Sequence, residues 1–216
     1  EEDFELQEMT LEGIVEEHER QLRRLYDDDD DFDGAALMDP SLNTARDATD
    51  GILVLDGLFQ DEEVKQMQAA CDALQFEPEY EYDFAAGEAS DLDPMHPMVR
   101  RIIERVRPHA RRLLSSQGLL RRQVEPWHMY RAYVNRFAHT DHPIPHQDAT
   151  FEAHLTALVY PNSAWDMTDG AETVFYTDAD FSNVARSVMP RPGRVVLFTG
   201  DTWHAARPPL PRCTDR

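Results

Sequence analysis

Lysine is almost missing from these 216 residues: Lys65 is the only one, and it sits beside Glu62 and Glu63 in a stretch that reads as a surface helix. Schiff-base chemistry needs a desolvated amine, so that class is set aside. Cysteine is nearly as scarce. Cys71 and Cys213 match neither a zinc-ligand spacing nor a disulfide framework, which makes a reducing, cytoplasmic compartment the default and Cys71 a core residue. Positive charge is short as well, with 21 Lys+Arg against 42 Asp+Glu and a formal net charge of -21. Such a surface repels phosphate backbones and anionic bilayers, so neither nucleic acid nor membrane is expected as a partner. No apolar stretch approaches the roughly 20 residues that cross a bilayer. Nothing near Glu1 resembles a signal peptide, although a start at Glu1 rather than Met leaves room for a targeting segment ahead of it.

What is present suffices for a core: 41% of the residues are hydrophobic, enough for one domain with an appended arm. Residues 1–50 read as an acidic arm and linker, and 51–216 as the main domain. In the arm, Met9, Leu11, Ile14, Val15, Leu22 and Leu25 recur at loose helical spacing between Leu6 and Tyr26. The run Asp27 to Asp31 with Asp33 lacks the spaced ligands of a calcium loop and reads as solvated charge. Ile52 to Phe59 reads as a buried strand. Asp61 then caps a helix from about Glu62 to Leu74, with a domain-level span of 61–75. Glu77 to Pro97, rich in acid, Gly and Pro, reads as a long surface loop. An arginine-studded helix follows over 97–116, interrupted at Pro108, its arginines pairing with carboxylates.

From Trp127 onward the pattern changes to short β-type runs: Trp127 to Phe137, His154 to Tyr160, Glu172 to Tyr176, Val184 to Met189, Arg194 to Phe198 and Thr202 to Ala206. Many short strands separated by Pro, Gly and Asp argue an α+β chain whose second half is a sandwich, jelly roll or barrel.

The chemistry concentrates at His146-Gln147-Asp148 and His204. On an extended segment, residues i and i+2 share a face, so His146 and Asp148 converge if the stretch after Pro143 and Pro145 is extended. A second triplet, His139-Thr140-Asp141, precedes those prolines in what reads as a turn. His204 follows a Gly-initiated strand and the Gly200-Asp201 turn, so an antiparallel return brings it back toward His146. Two imidazoles and a carboxylate on one side of an ion suit a facial Fe(II) site, with the other positions left for substrate and oxygen. The same donors suit a catalytic Zn²⁺, and spacing alone does not choose. His142 and His154 read as structural.

Around these ligands the sequence resembles the Fe(II)/2-oxoglutarate-dependent dioxygenases, in particular the prolyl-4-hydroxylase-like branch. The likeness is carried by Arg131-Ala132-Tyr133-Val134-Asn135, by His146-Gln147-Asp148 and by Leu155 to Asn162. It continues through Trp165, Gly170-Ala171-Glu172-Thr173-Val174-Phe175, Pro190 to Phe198 and His204. It covers roughly Tyr130 to Arg216, and more loosely Ile52 to Leu74. The resemblance implies a double-stranded β-helix (jelly roll) preceded by supporting helices. It also implies Fe(II) on His146, Asp148 and His204, with 2-oxoglutarate and O₂ as cosubstrates, and leaves ascorbate open as an accessory reductant.

The far carboxylate of 2-oxoglutarate then needs a cation just past the distal His, for which Arg216 is the first choice and Arg212 the second, with Tyr133 as a hydroxyl donor. Arg131, Asn135 and Trp203 are the candidates to face a substrate, peptidyl or small-molecule. The implied reaction hydroxylates a C–H bond and releases succinate and CO₂. A carboxylate at 148, rather than a small residue, favours hydroxylation over halogenation.

Two departures stand out. Ala171 takes the place of a second Gly, which a turn tolerates if that position does not need positive φ. The sequence also stops at Arg216, where a closing strand is expected to follow. The alternatives are a cupin-like metal enzyme that does not use 2-oxoglutarate and a non-catalytic acidic interaction module.

Overall fold

The computed structural model describes residues 51–81, 84–118, 129–150 and 154–212. The expected helix at 6–26, the aspartate run and Arg216 lie outside the described residues. The chain divides into two units, residues 1–38 with 124–130 and residues 39–123 with 131–216. Every element named below belongs to the second.

β1 (Ile52–Leu55) and β8 (Val195–Thr199) form the hydrophobic centre of the fold. They pair antiparallel, Ile52 with Phe198 through Leu55 with Val195, and β5 (Leu155–Val159) pairs with the other edge of β8. All residues of β1 and β8 are buried. Strands covered on both faces carry uninterrupted apolar runs rather than alternation, which is how ILVL and VVLFT read. One face meets a second sheet, in which β6 (Thr173–Tyr176) lies between β7 (Val184–Val188) and β9 (His204–Ala206). Val54, Val196 and Phe198 pack there against Phe175 and Val188, with the Phe175 and Phe198 rings edge to face at 5.1 Å.

Helices α1 (Asp61–Asp72) and α2 (Pro97–Ser116) bury Val64, Met67 and Cys71, and Val99, Val106, Ala110, Leu113 and Leu114. α1 lies close to the turn before β8: a Cβ on Gly193, at φ +66°, would come within 2.7 Å of Val64. Arg194 then ties the turn after β1 to the start of β8. It forks onto both oxygens of Asp56 at 2.6 Å and donates to the Met189 carbonyl at 2.7 Å. The arginines of α2 do pair with carboxylate: Arg105 reaches Glu63 at 2.7 Å and Arg101 at 3.7 Å.

Several expectations are corrected. Residues 77–97 are not one loop: β2 (Glu77–Glu81) and β3 (Phe84–Asp91) pair antiparallel, and β3 also pairs with β4 (Tyr133–Arg136). β2 is an edge strand, where Pro78 and exposed glutamates are tolerated, so it carries no apolar alternation. Asp61 is the first residue of α1 rather than its cap. Gln60 takes that place, and Glu63 reaches back to the Gln60 N–H at 2.9 Å in a capping box. α2 runs through Pro108 without ending. Ala171 adopts φ 62°, so the position that replaces glycine does take the left-handed conformation. Among the described residues, no helix is long and apolar enough to cross a membrane.

Candidate metal centre

His146 and His204 meet across an isolated antiparallel bridge. The His146 N–H donates to the His204 carbonyl at 2.9 Å, and the reverse bond is 3.0 Å. Residues paired in this way send their side chains to the same face, and the two rings stand 4.5 Å apart. Asp148 lies between them, with Oδ1 3.6 Å from His146 Nε2 and Oδ2 3.8 Å from His204 Nε2. One donor atom from each of the three side chains lies within 4.8 Å of the others.

Backbone carbonyls set the tautomers. His146 Nδ1 is 3.0 Å from the Ile144 carbonyl oxygen, and His204 Nδ1 is 3.0 Å from that of Thr202. A carbonyl only accepts, so each Nδ1 carries the proton and each Nε2 presents its lone pair on the Asp148 side. His204 is buried and His146 half-exposed, which puts the open side of the cluster at His146. Phe198 closes the inner side, edge-on to His204 at 4.7 Å.

The electrostatics favour a bound cation. Burial works against the Asp148 charge, but the hydrogen bond from Thr156 and the proximity of both imidazoles bring its pKa down to about 2. Burial lowers the pKa of His204, outweighing the opposing pull of the Thr202 carbonyl and Asp148. At neutral pH the cluster therefore presents a carboxylate and a neutral buried imidazole, the states a metal requires. Neighbouring donors around an ion with bonds of about 2.1 Å stand roughly 3 Å apart. The 3.6 and 3.8 Å separations thus need to close by less than about 1 Å to hold one. Two imidazoles and a carboxylate fit Fe(II) with open positions.

Tyr133 lies within electrostatic reach of Asp148. Burial and the Asp148 carboxylate raise its pKa, Arg131 opposes them, and Glu79 adds to the rise. Arg131 stacks over the Tyr133 ring at 4.2 Å and lies 3.9 Å from Asp91. Asn135 is exposed two residues along β4 from Tyr133. Trp203 packs on Phe181 at 5.2 Å. Arg212 is bound to Asp169 at 2.9 Å, and Arg216 lies outside the described residues. Among the described residues the rival triplet joins no such cluster: Asp141 is buried and accepts the Ala138 N–H at 2.5 Å within its own turn.

Two contacts escaped the sequence reading. Thr156 donates its hydroxyl to Asp148 Oδ2 at 2.5 Å, and the Gln147 amide donates to the Asp201 carbonyl. Thr156 reads as an ordinary strand position, and Gln147 only as the middle residue of the ligand triplet.

Comparison with known proteins agrees with this geometry. Residues 128–216 match the family model of the 2OG-Fe(II) oxygenase superfamily. No individual curated protein matches significantly. Among solved structures, a Pseudomonas putida prolyl-4-hydroxylase is similar at 20% identity and TM-score 0.52, covering 81% of this chain and 91% of that one. A Trichoplax adhaerens prolyl hydroxylase, in complex with a hypoxia inducible factor oxygen degradation domain peptide fragment, is similar at 16% identity and TM-score 0.52. That likeness covers 89% of this chain and 87% of the other. HygX from Streptomyces hygroscopicus, with nickel and 2-oxoglutarate bound, is similar at 16% and TM-score 0.50, over 74% and 77% of the two chains. The segment that resembles the 2OG-Fe(II) oxygenase superfamily, residues 128–216, contains the whole His-Asp-His cluster.

Proposed function

We propose that His146, Asp148 and His204 hold the Fe(II) of a 2-oxoglutarate-dependent hydroxylase that acts on a C–H bond of a peptidyl or small-molecule substrate. The observation that carries this reading is the paired tautomer control: both Nδ1 protons are spent on backbone carbonyls, so both Nε2 lone pairs converge with Asp148. When bound, Fe(II) supplies oxygen activation coupled to decarboxylation of 2-oxoglutarate to succinate and CO₂.

The chain's own part is to hold and to exclude. Asp148 offers a full negative charge, His204 a neutral ring, and Phe198 with Phe175 a dry inner wall. The raised pKa of Tyr133 keeps its hydroxyl protonated at neutral pH, so it can donate to an anionic cosubstrate carboxylate. Arg216, or Arg212 released from Asp169, is the guanidinium we assign to that carboxylate, and Arg131 and Asn135 border the open side. The peptide held by the Trichoplax relative supports a peptidyl substrate, and the small-molecule alternative stays equally within reach of an open site.

We further read the β7-β6-β9 sheet, extended by the His146 bridge, and the β1-β8-β5 sheet as the two walls of a double-stranded β-helix. In this reading residues 51–216 are the catalytic domain, 1–50 an appended arm, and the setting the reducing cytoplasm, which suits the free thiol of Cys71.

Succinate formation tests the function. The protein with Fe(II) should convert 2-oxoglutarate to succinate at a rate that Asp148→Ala and His204→Ala each reduce by at least about a hundredfold, as loss of a ligand costs more than the roughly 10–100-fold of its supports. Turnover that survives both substitutions would refute the assignment.

A further inference from the structure

We propose that Thr156 is a positioning residue that keeps Asp148 a one-oxygen ligand; the inference rests on Asp148 being a metal ligand, as set out above. Thr156 lies on β5, in a different sheet from His204, yet its Oγ1 donates to Asp148 Oδ2 at 2.5 Å. A hydroxyl has a single proton to give, and here it goes to that carboxylate oxygen.

The strand register fixes where this donor stands. Thr156 pairs with Phe198 of β8, and Phe198 is the ring that packs on His204. Leu158, two residues along the same face of β5, packs into the core between the sheets. The β-branched side chain has few rotamers to choose from, so the hydroxyl is held toward Asp148 by the backbone of a packed strand.

The consequence follows from counting donors. Around a roughly six-coordinate ion, two imidazoles and one carboxylate oxygen leave room for a bidentate keto acid and for dioxygen. A carboxylate binding through both oxygens takes one of those places. With one lone pair of Oδ2 engaged by Thr156, Oδ1 is the better donor to the metal, and the position that a two-oxygen Asp148 would fill stays open. Thr156 touches neither cosubstrate in this account; it acts through Asp148.

The test is 2-oxoglutarate binding to the protein held at saturating Mn(II) under anaerobic conditions, measured by calorimetry without turnover. Thr156→Val keeps the branched shape and removes the donor. It should weaken 2-oxoglutarate binding by about 10–100-fold, the usual cost of losing a ligand's hydrogen-bond support, and Thr156→Ser should restore it. Thr156→Ala repeats the measurement if valine lowers the melting temperature enough to leave the protein unfolded. Unchanged binding in a folded Thr156→Val or Thr156→Ala protein overturns the inference. Asp148→Ala separates the two levels: if it too binds Mn(II) and 2-oxoglutarate normally, the metal assignment itself fails, whereas loss there with no effect at Thr156 removes only this proposal.

Discussion

His204 and Asp148 both titrate away from their ordinary values in the fold, and the two shifts act on stability in separate pH windows. Burial lowers the His204 pKa below 6.5, so as pH falls the unfolded chain takes up the proton first and stability drops. Asp148 is depressed from 3.8 to about 2, so its contribution is complete above 3.8 and is lost as pH falls toward 2. Thermal melts of the metal-free protein should therefore show a decline as pH falls through and below the ordinary imidazole value of 6.5 that is smaller in His204→Gln, a side chain that stays neutral throughout. The decline at lower pH should remain in that variant. An identical upper-pH slope in both proteins would contradict the burial of a neutral His204. The three clustered side chains were legible in the sequence because strand alternation relates two of them and the return past Gly200-Asp201 relates the third. Thr156 was not, because a threonine in an apolar strand is an ordinary β-former until its hydroxyl is seen to point at a carboxylate.

At the scale of elements, the apolar strands β1, β5, β6 and β8 could be read directly, since burial on one or both faces leaves a run of Val, Leu, Ile and Phe. The β2-β3 hairpin could not. Its sequence is rich in glutamate and alanine and includes a proline and a glycine, and what makes it sheet is pairing with β4 from across the chain, which local composition does not encode. The continuity of α2 through Pro108 is a similar override of a local rule by packing of Val106 and Ala110 on either side.

Ala171 carries its own prediction. At φ 62° it pays the left-handed penalty of about 1–2 kcal/mol, against the roughly 0.5–1 kcal/mol of extra chain entropy that glycine loses. Ala171→Gly should stabilise the fold by about 0.5–1 kcal/mol in chemical denaturation. A destabilised variant would show that the Ala171 backbone is not strained. The turn itself is anchored by Trp165, whose Nε1–H donates to the Gly170 carbonyl at 3.2 Å, so the substitution alters conformational cost and little else.

Over the whole molecule, the assembly principle is that no single sheet owns the site. His146 is bridged to β9, Asp148 is held by β5, and the aromatic wall comes from β6 and β8. A cluster built this way forms only when the two sheets are packed, which couples metal binding to the integrity of the core. The formal charge of -21 lies outside this geometry and concerns which partners approach rather than the reaction. The most direct test of the account is a crystal structure grown anaerobically with Mn(II) and 2-oxoglutarate. It should show one ion bonded to His146 Nε2, His204 Nε2 and Asp148 Oδ1 at about 2.0–2.2 Å, with Oδ2 still bonded to Thr156 and the keto acid on the remaining positions. An ion bound elsewhere, or one that leaves out any of these three side chains, would contradict it.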